Sequence, residues 1–127
     1  MELSENEIAK IIFASALKVH RKTGPGLLEN AYEQCLFYEL EKAGLYVEKQ
    51  KVLPLIYENI KLDAGYRIDL IVNHKVIIEI KSVDALAPVH TAQVITYLKL
   101  SGCKLGILIN FNMALLMDGF KRIVNGL

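Results

Sequence analysis

The stretches YRIDLIV (66–72) and VIIEIKS (76–82) are separated by only Asn73, His74 and Lys75, and they constrain the fold more than any other part of the chain. Each reads as a buried strand, and the short connection folds them into an antiparallel hairpin. Asp69 in the first run, and Glu79 with Lys81 in the second, break the apolar pattern. A two-residue turn at Asn73-His74 would set Asp69 against Ile78 and mix polar with apolar side chains on both faces. A three-residue connection sets Asp69 opposite Glu79 and Arg67 opposite Lys81. One face is then wholly apolar, made of Ile68, Leu70, Val72, Val76, Ile78 and Ile80, and the other carries all four charges. The hydrophobic pattern selects the second register, which brings two carboxylates together.

The flanking sequence supplies helices to cover such a sheet. Ser4 and Glu7 form a capping-box signature, and Ile8, Ile11, Ile12, Ser15 and Val19 follow at helical spacing, predicting a helix over 5–22. Thr23-Gly24-Pro25-Gly26 ends it. A second helix is predicted over 27–43, with Gly44 in the stop position. From Tyr46 the period changes to two, giving a strand to Leu55 in which Pro54 signals an edge or a break. Glu58-Asn59 is a turn, a short strand runs to Leu62, and Asp63-Ala64-Gly65 is a further break before the hairpin. After the loop VDALAP come a third helix over 91–100, an apolar strand over 105–110, a turn at Asp118-Gly119 and a last strand over 120–124. The order α, α, β, β, β, β, α, β, β implies an α/β sandwich with a mixed central sheet flanked by helices, in a single domain over 1–127.

Composition narrows the function. Fifteen basic and fourteen acidic residues leave a net charge of +1, so the chain does not advertise the strongly basic surface of many nucleic-acid binders. No run approaches the ~18 apolar residues of a membrane span, and MELSENEIAK does not resemble a signal sequence, so a cytoplasmic protein without membrane contact is expected. Cys35 and Cys103 lack metal or redox spacing and read as reduced core thiols. His20, His74 and His90 share no ligand spacing and read as surface or capping residues. The apolar fraction of 53% is high for a small soluble domain and suggests a homodimer.

Two carboxylates side by side repel unless one is protonated or a cation lies between them. Hard oxygen donors on neighbouring strands suit Mg2+ or Mn2+. Lys81 lies on the same face as Glu79 and reaches the same space. Ordinary ion pairing on a solvated face explains the pattern equally well from the residues alone.

Asp69 followed by Glu79-Ile80-Lys81 resembles the motif of the PD-(D/E)XK nuclease superfamily, with Ile68 in place of its proline. Gly26-Leu27-Leu28-Glu29-Asn30-Ala31-Tyr32 is similar to the GxxExxY motif that names a small branch of that superfamily. Gln93 to Tyr97 resembles the QxxxY motif of related nuclease domains. The resemblance covers nearly the whole chain and implies a restriction-endonuclease-like fold. It implies a metal-dependent nuclease acting on DNA, or RNA, with Mg2+ (or Mn2+) bound by Asp69, Glu79, the carbonyl of Ile80 and Glu29. It further implies catalytic roles for Glu29, Asp69, Glu79 and Lys81, and substrate contacts by Gln93 and Tyr97. Glu29 reads alternatively as a first-turn acid favoured by the helix dipole, and Tyr97 as core packing. Tyr32 is expected to pack on the sheet and hold Glu29 in place. A catalytically silent nucleic-acid-binding or protein-interaction module on the same fold is the competing reading.

Overall fold

The computed structural model describes residues 2–127. Ser4 caps the first helix, α1 (Glu5–Thr23), through a reciprocal capping box with Glu7. Gly24 and Gly26 adopt positive φ (69° and 102°) in the sharp connection that follows, and α2 (Glu29–Lys42) then begins without a side-chain cap. Five strands follow: β1 (Val47–Tyr57), β2 (Ile60–Val72), β3 (Val76–Lys81), β4 (Leu105–Asn110) and β5 (Phe120–Val124), with α3 (Pro88–Ser101) between β3 and β4. The sheet order is β1-β2-β3-β4-β5. Only β3 and β4 are parallel, as their connection through α3 requires.

The mixed α/β sandwich expected from the sequence is therefore the fold, with corrections to its details. The break foreseen at Asp63-Ala64-Gly65 does not divide a strand. Leu53 pairs with Tyr66 and Leu55 with Leu62, so these three residues bulge opposite the single Pro54 within one long β2. The third helix starts at Pro88 rather than Thr91, because proline is suited to a first helical position and His90 Nδ1 accepts from the Ala87 N–H at 2.9 Å. The proposed pairing of Arg67 with Lys81 is absent: the β2–β3 ladder runs from Val72–Val76 to Leu70–Ile78 and stops, and Arg67 is exposed.

Both sheet faces are covered. Helices α1 and α2 pack Ile8, Ile12, Tyr32, Leu36 and Leu40 on Leu70, Val72, Val76, Ile78, Ile80, Ile107 and Ile109. On the opposite face α3 packs Val94, Tyr97 and Leu98 on Leu53, Ile68, Ile71, Ile77 and Leu108. The second face is thus not a charged surface as the hairpin alone suggested, because its middle is a second core and the charges cluster at its end.

Ile68 also changes sides. It belongs to the α3 core while Leu70, two residues on, belongs to the other, and in β1 Leu53 parts from Val47 in the same way. Residues two apart on a regular strand share a face, so the β1–β2 ribbon turns over between them. The turnover falls at Gln50, whose φ is +53°, and at Asp69, which lies between the paired residues Lys49–Leu70 and Lys51–Ile68. A left-handed conformation costs a non-glycine residue about 1–2 kcal/mol. Burying Leu53 or Ile68 under α3 returns roughly 1.5–3 kcal/mol each, so the turn is sustained by packing.

Candidate metal centre

Where the β2–β3 ladder stops, a side chain takes over from the backbone. Asp69 Oδ2 accepts the Ile80 N–H at 2.8 Å, the group that Ile68 would have met had the ladder continued. In an extended strand the N–H and C=O of one residue point the same way, so the Ile80 carbonyl also faces Asp69. The strands splay here, and the carboxyls of Asp69 and Glu79 lie close enough for the charge of Asp69 to act on Glu79.

Glu79 is buried on the α3 side of the sheet. Its Oε2 lies 3.0 Å from Lys81 Nζ, while its Oε1 is buried with no hydrogen-bond partner. Burial and then the Asp69 charge push the Glu79 carboxyl up to about 7. Asp69 is also raised, by burial, against the opposing pull of the Ile80 N–H and Lys81. Their surroundings thus disfavour ionisation of both acids at once. Burial acts against the Lys81 ammonium, but the ion pair with Glu79 and the charges of Glu29 and Asp69 outweigh it and hold its pKa up.

Glu29 stands at the first position of α2, exposed, and its Oε2 accepts weakly from the Ser82 N–H at 3.3 Å. It therefore meets both descriptions, a first-turn acid and a wall of the site. Tyr32 explains how it is held. The ring stacks on Phe111 at 4.4 Å between centroids. The hydroxyl donates to the Gly24 carbonyl at 2.6 Å and accepts from the Leu27 N–H at 3.1 Å. Ser82 Oγ donates to the Leu27 carbonyl at 2.7 Å, so the loop before Glu29 is pinned from two sides.

Gln93 and Tyr97 share a face of α3 and are joined by a 2.8 Å hydrogen bond. Tyr97 is buried in the α3 core, and its hydroxyl is raised by burial and then by the Glu79 charge, so it both packs and borders the acids. All six side chains singled out from the sequence thus gather at one end of the sheet. His20 does not fit its surface reading: it is buried and bonds the Met113 carbonyl through Nε2 at 2.7 Å.

Three residues at the site escaped the sequence reading. Glu33, one turn beyond Glu29, is buried and accepts from Gln50 Nε2 at 2.6 Å. Its carboxyl is raised by burial, with the Asp69 charge adding to the effect and Gln50 opposing it. Its spacing from Glu29 was the available signal. Asn110, an amide ending an otherwise apolar strand, is fully buried; it accepts from the Val83 N–H and donates to the Val83 carbonyl, fixing the chain after Lys81. Gln50 gave no signal, since its backbone conformation cannot be read from its residue type.

The donor set fits a hard divalent cation. A buried carboxylate oxygen without a partner, beside a second carboxylate and a backbone carbonyl, is an arrangement that a cation completes. Among the described residues no group of three or more His, Cys, Asp and Glu forms a ready metal cluster. The remaining coordination would fall to water and phosphate, as magnesium tolerates. Glu29, Asn30, Glu33, Gln50 and Asp69 line an adjoining cavity of about 220 Å³.

A mixed sheet that splays at one end around an acidic pair and a lysine, with helices on both faces, defines a restriction-endonuclease-like domain. The chain matches the family model of the PD-(D/E)XK nuclease superfamily over residues 6–123, and it belongs to that superfamily. No curated protein and no solved structure matches it at a significant level. Members of the superfamily are generally dependent on divalent metals and act on nucleic acid. No helix among the described residues is long and apolar enough to cross a membrane.

Proposed function

We propose that the chain is a metal-dependent nuclease of the GxxExxY branch, hydrolysing phosphodiesters of DNA in preference to RNA. The observation that carries this reading is the buried, unpartnered Oε1 of Glu79 beside Asp69. Asp69, Glu79 and the Ile80 carbonyl would hold Mg2+ or Mn2+, with Glu29 reaching it directly or through water. A cation bound there would supply a Lewis acid and lower the pKa of the attacking water.

Lys81 is the positive charge of the site, held 3.0 Å from Glu79 Oε2. It orients the water and offsets charge gathering on the phosphate as the leaving oxygen departs. Gln93 and Tyr97 offer a donor and a hydroxyl to a phosphate or base on the α3 side. The branch assignment is supported by the Tyr32 clamp, which gives the Gly26, Glu29 and Tyr32 spacing a physical purpose.

We further infer a homodimer. Beyond the turnover the β1–β2 ribbon extends without β3 beside it, and a two-stranded ribbon is marginal by itself. Its cross-strand pairs Leu55–Leu62 and Tyr57–Ile60 form one apolar face, with Tyr57 and Ile60 60% and 57% exposed. A second copy offers the same face, and a net charge of +1 sets no repulsion against pairing.

Calorimetric titration with manganese tests the site, followed by cleavage assays on single-stranded, duplex and branched DNA and RNA. Binding to the wild type that is lost in Asp69→Ala is expected; equal binding to both, or none to either, removes the catalytic reading. Manganese binding without cleavage of any substrate would favour the silent module on the same fold.

A further inference from the structure

The residue opposite Asp69 on the neighbouring strand is as unusual as Asp69 itself. Gln50 holds a left-handed backbone (φ +53°) inside a β-strand, although it is not a glycine. Such conformations persist where surrounding structure enforces them, and they gather at functional sites. The turn directs the Gln50 side chain to the acids. Its Nε2 donates to Glu33 Oε1 at 2.6 Å and lies 3.4 Å from Asp69 Oδ1, a long contact. Both partners are carboxylates, so the NH2 end of the amide must face them.

Glu33 is 5% exposed and projects from α2, an element fixed by Tyr32 and Leu36 in the core. The Gln50 amide is therefore anchored from behind by a buried acid on a rigid helix. The other oxygen of Asp69 is held by the Ile80 N–H. Asp69 is thus restrained on one oxygen by the β3 backbone, and on the other by an amide that also separates it from Glu33.

We propose that Gln50 is a positioning residue, tethered by Glu33, that sets the orientation of the Asp69 carboxylate toward a bound cation. This inference rests on the metal site proposed above. Partners that orient a metal ligand from behind govern affinity without touching the ion, and losing one commonly weakens binding about 10- to 100-fold.

Glycine at position 50 removes the amide while relieving the backbone conformation, so it separates positioning from folding. Manganese titration and thermal melting of the metal-free protein are compared for wild type, Gln50→Gly, Gln50→Asn and Glu33→Gln. Gln50→Gly is expected to melt near the wild-type temperature, the relieved backbone offsetting the donor lost to Glu33, yet bind manganese about 10-fold or more weakly. Gln50→Asn, which tolerates positive φ but lacks the reach, is expected to bind as weakly. Glu33→Gln keeps an acceptor oxygen for the tether and is expected to bind as wild type does. Wild-type affinity in Gln50→Gly overturns the proposal while leaving the metal site intact. A 10-fold loss in Glu33→Gln also overturns it, because the charge of Glu33 would then be what the ion senses. Failure of the wild type to bind manganese removes the metal site itself, and the positioning role with it.

Discussion

Lys81 Nζ lies 3.0 Å from one oxygen of Glu79, and the other oxygen of that buried carboxyl meets no donor at all. The lysine therefore half-satisfies an acid that its surroundings would otherwise keep protonated. Substituting Lys81→Met leaves Glu79 alone in the α3-side wall. Removing one partner of a buried pair costs about 3–5 kcal/mol when the remaining group must stay charged. Urea unfolding should show that cost at pH 8 and a markedly smaller one at pH 5, where Glu79 takes a proton.

The same carboxyl gives the metal-free protein a pH signature. Glu79 titrates near its ordinary 4.5 when unfolded and at about 7 when folded, so over that interval the native state binds more protons. Its contribution to stability is complete below about 4.5 and is lost as pH rises through about 7. The melting temperature should fall across this window, and Glu79→Gln should flatten that part of the curve. Manganese should raise the melting temperature more at pH 8 than at pH 5.5, because the cation competes with the proton on Glu79.

Tyr32→Phe keeps the stack on Phe111 but removes both hydrogen bonds to the loop. The Gly24 carbonyl and Leu27 N–H lose a partner, at a cost of about 1–3 kcal/mol. Limited proteolysis should show faster cleavage between residues 24 and 28, and manganese binding should weaken through the displaced Glu29.

Gly106 lies in β4 under α3, where an added Cβ would come within 2.5 Å of Val94 Cγ1. Valine has little rotamer freedom on a packed helix, so Gly106→Ala should destabilise by about 1–3 kcal/mol. The loss is read in denaturant midpoint, with the far-UV spectrum unchanged.

The dimer is tested on the ribbon. Tyr57→Ser combined with Ile60→Ser should shift the protein to monomer in light scattering at micromolar concentration, without lowering manganese affinity. A wild-type monomer at that concentration rules the dimer out.

The register of β2 on β3 could be derived from the sequence because an error of one residue would have mixed Asp69 with Ile78, a strong physical penalty. Both ends of α1 and the stop of α2 were legible for similar reasons, through Ser4, Gly24 and Gly44, whereas the start of α3 at Pro88 was not. What escaped was whatever depends on two segments meeting at a distance. Ile68 was assigned to the wrong core because a turnover enforced by packing is invisible in a period of two. Asp63 to Gly65 looked like a terminus because a bulge uses the same residues as a turn. Glu33 and Gln50 are ordinary residues alone and become a pair only when α2 lies across β1.

The parallel pairing of β3 with β4 has a consequence for when the pocket comes into being. Lys81 and Val83 are fixed by Phe111 and Asn110, residues about thirty positions downstream, and the intervening helix must cross the sheet before that strand can add. Pairings of such sequence separation form late. A polypeptide still emerging from the ribosome, ended before Leu105, carries every acid of the centre but not the strand that holds its edge in place. Such a chain should lack the full-length protein's affinity for manganese, and a 1–104 fragment that bound manganese as the full chain does would show otherwise.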